Sequence, residues 1–163
     1  MAGPGPPGPE LAGAARVHTG ARGCQERTRA AIAAALRELN TPGATKAYRG
    51  YVDREIPRLL ERLAAGGKGQ RGEAARTLIL FPELIASTRE GLERALSDAD
   101  WLARSKAAEA LGKARSRKSL TKLRDHLCDP NEYAWRAAYG AIAALGDREA
   151  ERVLREFESG KCW

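Results

Sequence analysis

The stretch Lys113-Ala-Arg-Ser-Arg-Lys118 puts four cations into six residues. Cations at that density can hold phosphates or a carboxylate-rich surface through charge-assisted hydrogen bonds. Arg104 and Lys106 precede the run, and Lys122 and Arg124 follow it. The chemistry on offer is capture of an anionic partner, either nucleic acid or an acidic protein surface. No aromatic residue interrupts the run, which argues against a stacking platform for single-stranded bases. Exposed turns are usually charged, so the same run also reads as a solvated loop. A second group is aromatic: Trp101 and Trp135, with Tyr133 and Tyr139 close to the second. Such rings can anchor a partner, or they can fill space between helices in an alanine-rich bundle, which is the expectation here.

Catalytic and metal-binding arrangements are poorly represented. The chain holds two histidines, His18 and His126. His126-Leu-Cys128 offers two ligand types, but no second pair is spaced to complete a zinc site. Gly66-Gly-Lys-Gly69 lacks the Gly-Lys-Ser/Thr ending of a phosphate loop and reads as a linker. Neither a cofactor nor a catalytic set is predicted. Three cysteines, Cys24, Cys128 and Cys162, are odd in number and scattered. They predict no disulfide framework, and so a reducing, cytoplasmic setting.

The elements that must position these residues are helical. Charged residues make up 30% of the chain, and alanine supplies much of its apolar content. No apolar run approaches the roughly 20 residues of a membrane span. The opening MAGPGPPGPE lacks the basic start and apolar core of a secretory signal. Residues 1–23, rich in Pro and Gly, are predicted to be a flexible tail before a helical domain over 24–163. The net charge of +7 is uneven: residues 98–128 hold 8 basic and 4 acidic residues, whereas 129–163 hold 5 and 7.

Helical periodicity starts near Cys24, with Ile32, Leu36 and Leu39 on one face, and ends at Asn40-Thr-Pro-Gly43. A second stripe runs Tyr48, Val52, Leu59, Leu60, Leu63, with Pro57 predicting a kink or a break. Ser87-Thr-Arg-Glu90 has the form of a capping box. Asp98 and Asp100 are candidate caps for a helix starting near Trp101. Asp129-Pro-Asn-Glu132 reads as an N-cap Asp followed by Pro at the first helical position. Asp147 caps a last helix whose apolar face is Ala150, Val153, Leu154 and Phe157, the opposite face being charged as a capping unit requires. About eight short helices in antiparallel pairs are expected.

Two stretches repeat. Ala103, Ala107, Ala110, Leu111 and Ala114 shifted by 31 residues land on Ala134, Ala138, Ala141, Ile142 and Leu145, and Asp98 lands on Asp129. The opposite shift gives Gly72, Arg76, Ile79, Leu80 and Glu83, a weaker match. Such a period means stacked helical pairs that bury each other's apolar faces.

These residues resemble HEAT repeats in their short bacterial form, also seen in phycobilisome-lyase-type proteins. One copy carries Asp98, Ala103-Arg104, Ala107-Ala108 and Leu111-Gly112; the next carries Asp129, Ala134, Ala138 and Ile142-Ala143. Trp135 stands where Arg104 stands in the first copy, with Arg136 following. The resemblance covers 98–158 well and 67–97 weakly. It implies an all-α fold, an α-solenoid of about four antiparallel helix pairs, and a non-enzymatic scaffold that binds a protein partner. The expected partner-binding residues are Trp101, Arg104, Lys113, Arg115, Lys118, Lys122, Trp135 and Arg117. The alternative is a nucleic-acid-binding module using the basic third pair. A lyase-like activity is the third alternative that the resemblance offers. Beside it stands a glycosylase-like one, for which Trp101, Asp100 and Arg104 are the matching set, although Asp100 is more simply a cap.

Overall fold

The computed structural model describes residues 10–163, with side chains from Gly23 onward. Eight α-helices and no strand occur among them: α1 (Glu10–Glu38), α2 (Pro42–Ala65), α3 (Gln70–Leu78), α4 (Ile85–Ala95), α5 (Trp101–Lys113), α6 (Leu120–Asp125), α7 (Glu132–Ala143) and α8 (Arg148–Glu158). Short 3₁₀ turns, Pro82–Leu84 and Arg117–Ser119, lead into α4 and α6. The helices form four consecutive pairs of the expected solenoid. α3, α5 and α7 stack side by side in one layer, and α2 packs on both α3 and α4. Residues 1–9 of the expected tail lie outside the described residues. Helical backbone begins at Glu10, upstream of the periodicity that starts near Cys24.

Small residues set the spacing of the inner layer. Ala103, Ala107, Ala108, Ala110 and Leu111 of α5 are buried, as are Ala134, Ala138, Ala141 and Ile142 of α7. A Cβ on Gly112 would stand 2.6 Å from the Cα of Ala141, so only glycine allows this approach. The third copy of the repeat is present in α3, in a shifted register. Arg71, Ala74-Ala75 and Leu78 match Arg104, Ala107-Ala108 and Leu111 at a spacing of 33 residues, and all but the arginines are buried.

Several local expectations are corrected. Asp98 and Asp129 are not helix caps. Arg71 grips Asp98 through Nε at 2.6 Å and Nη2 at 2.8 Å, and Arg104 grips Asp129 at 2.6 and 2.9 Å. Each aspartate also accepts the N–H two residues on, from Asp100 and Asn131, but the helices start later. Asp100 accepts from the Leu102 N–H, and Asn131 accepts from Tyr133 and Ala134. Pro130 therefore precedes the helix. Ser87 lies inside α4 and bonds back to the Leu84 carbonyl, so no capping box forms there. α2 continues through Pro57 without a break. Among the described side chains of α1, Ala30 and Ala33 are buried, while Ile32 is 55% and Leu39 63% exposed. Ion pairs Glu26–Arg62, Arg27–Glu73 and Arg37–Glu83 tie that helix to α2, α3 and the Pro82–Leu84 turn. Asp147 caps α8 as expected, with Ala150 and Val153 buried.

The largest correction concerns the cysteines. Cys128 and Cys162 form a disulfide, with Cα atoms 5.9 Å apart, and Cys24 is free. The pair α7–α8 returns the chain to the edge it left, which brings two cysteines 34 residues apart in sequence together. The cysteine argument for a reducing compartment falls with this bond. No described helix is long and apolar enough to cross a membrane.

Candidate functional site

The α5 helix presents a different chemistry at each end. Its N-terminus carries Trp101, which is 41% exposed. The ring lies 5.3 Å from that of Tyr133, itself 65% exposed, at the start of α7. The pair is held from below: Ser105 Oγ donates to the Tyr133 carbonyl at 3.1 Å, and caps at Asp100 and Asn131 fix both helix starts. Trp101 is thus not the interior filler that packing logic suggests. Trp135 is closer to that role. It is half-buried, packs on Phe157 with ring centroids 5.9 Å apart, and carries the Arg136 guanidinium over its face. Tyr139 joins the same Phe157 contact.

The other end of α5 runs into the basic turn. Ala114 ends the helix, Arg115 takes a left-handed backbone with φ 47°, and a 3₁₀ turn at Arg117–Ser119 leads into α6. The Ser116 N–H reaches back to Leu111 O at 2.9 Å and the Arg115 N–H to Gly112 O at 2.9 Å. This is the 6→1 pattern that closes a helix around a left-handed residue. Beneath the turn lie two buried hydroxyls. Ser119 Oγ donates to Glu93 Oε1 at 2.7 Å, so its 2.9 Å bond with Ser116 Oγ must be donated by Ser116. Glu93 also takes Arg89 and Lys122, each at 3.1 Å. Burial pushes the Glu93 carboxyl up, but the bonds from Ser119, Lys122 and Arg89 outweigh it and hold the group below its ordinary range.

The predicted site residues therefore separate. Arg104 belongs to the inter-repeat clamp on Asp129. Lys122 is bound to Glu93, and Arg117 reaches across to Asp147 and Glu149 of the next pair. Lys113, Arg115 and Lys118 are exposed and have no carboxylate within ion-pair distance among the described residues. Trp101 stands about 18 Å from Lys113 along the helix, at about 1.5 Å per residue. The Trp101, Asp100 and Arg104 set does not converge. Asp100 is buried and accepts from Leu102 and Gly69 N–H groups, and Arg104 is occupied. No group of three His, Cys, Asp or Glu side chains among the described residues is placed to hold a metal.

Glu93, Ser116 and Ser119 were missed in the sequence. The serines stand inside and beside the basic run, yet nothing in one sequence marks a glutamate of a preceding helix as their acceptor. Arg71 could have been found from the Arg-x-x-Ala-Ala-x-x-Leu spacing it shares with Arg104.

A sequence model of HEAT repeats matches the chain twice, over residues 56–142 and 89–159. No curated protein matches it significantly. The two matches together span α3 to α8 and the last turns of α2, the region in which the Arg–Asp clamps and the small-residue layer recur. By that match and that architecture, this chain belongs to the HEAT-repeat family.

Proposed function

We propose that this protein is a non-enzymatic adaptor that binds another protein, with Trp101 and Tyr133 as the anchor. The observation that carries the reading is the exposed pair of packed rings on a rigid edge. Rings of that kind dominate the energetics of protein interfaces. Two fixed helix starts pre-organise them, so little side-chain ordering remains to oppose binding. HEAT repeats commonly mediate protein interaction, which agrees.

The test is comparative capture from an extract of the source cells, read by mass spectrometry. Wild type is compared with Trp101→Ala, Tyr133→Ala and the control Arg152→Gln. The expected outcome is a defined set of proteins lost with either ring and retained with the control, while melting temperatures stay close to wild type. Retention of the whole set by both ring variants would remove the aromatic edge from the proposal.

A further inference from the structure

We infer that the turn joining α5 to α6 is a docking site for a short acidic segment of a partner protein, gripped by Lys113, Arg115 and Lys118. This rests on the adaptor reading above and names the chemistry of one contact.

The cations are available. Neighbouring basic groups are consumed within the fold: Arg104 by Asp129, Lys122 by Glu93, Arg117 by Asp147 and Glu149. Lys113, Arg115 and Lys118 are exposed without such partners among the described residues. The backbone beneath them is fixed by the helix-closing bonds, from the Ser116 N–H to Leu111 O and from the Arg115 N–H to Gly112 O. The buried bridge from Ser116 through Ser119 to Glu93 ties the same turn to α4. An anion meeting it has no loop to order.

Arg115 adds a separate observation. Its φ of 47° lies in the left-handed region, which disfavours any residue with a Cβ. The position 31 residues on, closing α7, is Gly146 with φ 66°. Glycine fits that backbone without strain. One turn thus uses glycine where the other keeps a guanidinium in the strained conformation and leaves it unpaired.

The surroundings favour a short acidic segment over a nucleic-acid duplex. In the turn before α4, Glu83 is the sole charge. Where α8 begins, Asp147 and Glu149 outnumber Arg148. Glu83 is itself paired with Arg37, and Asp147 and Glu149 with Arg117, so neither neighbouring turn offers a surplus of positive charge. A duplex carries a charge every ~1.7 Å of its axis, so its further phosphates would lie over turns with no surplus of cations to hold them. Two or three carboxylates in a row match the three unpaired cations.

The experiment uses the full chain with fluorescein-labelled hexaglutamate, and separately a labelled random duplex, followed by anisotropy at about 150 mM salt. The expected result is hexaglutamate binding that each of Lys113→Gln, Lys118→Gln and Arg115→Gly weakens about fivefold. Arg49→Gln removes an exposed cation elsewhere and should leave binding within about twofold. Arg115→Gly should also melt no lower than wild type, so that affinity falls while stability does not. A purely structural role would move both together. Three outcomes overturn the inference: no hexaglutamate binding, equal weakening by Arg49→Gln, or tighter duplex binding that depends on the same three residues. If Arg115→Gly unfolds the turn, the two glutamine variants, which leave the backbone unchanged, still decide the matter. Absence of hexaglutamate binding beside intact capture through Trp101 and Tyr133 would remove this contact and leave the adaptor reading standing.

Discussion

At Gly112 a single methyl group decides how closely two helices approach. An added Cβ would meet both the Cα of Ala141, at 2.6 Å, and its Cβ, at 2.7 Å. Backbone cannot swing aside as a long side chain can. Gly112→Ala should therefore destabilise by about 1–3 kcal/mol through overpacking. Leu111→Ala and Ile142→Ala, both fully buried, should lose about 2–5 kcal/mol each. Arg117→Ala, an exposed ion-pair partner, should change stability by less than about 1 kcal/mol. Urea denaturation of the four variants ranks them, and a Gly112→Ala as mild as Arg117→Ala would refute the close approach of α5 and α7. Leu111 and Ile142 were legible as core from the repeat alone, because apolar identity and spacing both report burial. The exposure of Trp101 was not legible. A tryptophan in the first turn of a helix packs inward or outward according to what the next helix places beside it, and here that is Tyr133.

Between elements, the recurring device is an arginine of one inner helix holding an aspartate just before the next. Arg71–Asp98 and Arg104–Asp129 each also bond a loop carbonyl, Gly66 O and Asp98 O respectively. Arg71 holds the Asp98 carboxyl below its ordinary range against the effect of burial. At Asp129 burial pushes upward, but Arg104 and the Asn131 N–H outweigh it. Both folded-state values are depressed, so the stabilisation is complete above the unfolded-chain value of 3.8 and disappears as pH falls through the folded values. Stability measured in urea should therefore fall as the solution is acidified below about pH 4. Asp129→Asn should be less stable at neutral pH and lose less over that window; an unchanged slope would contradict the clamp. The clamps also explain where sequence reading failed. Asp98 and Asp129 fit the local pattern of a cap, and nothing local shows the arginine of the preceding pair that each one holds. The third repeat was hidden by a two-residue change of spacing, which realigns Arg71 with Arg104 but defeats a fixed period. On α1, Ile32 and Leu39 look like a core face, yet Ala30 and Ala33 are the residues that face the core, and three ion pairs flank that contact.

Across the whole molecule, the disulfide is the feature that composition concealed. Cysteine count and spacing carry no information on which loops share an edge, and that depends on the antiparallel return of α7 and α8. By loop-closure entropy, a bond spanning 34 residues should stabilise by about 4 kcal/mol. Cys162→Ser, or wild type with a reducing thiol, should show a loss of that order in urea denaturation, while a change within error would mean the bond restricts little. The same bond alters how the protein bears load. Tension that reaches Cys162 along the chain passes at once into Cys128, so α7 and α8 lie outside the force path. Roughly 120 Å of chain is thereby withheld from extension, at about 3.6 Å per residue over those 34 residues. Those residues are not lengthened by a pull that unravels the helices before them, unless the sulfur bridge is first reduced.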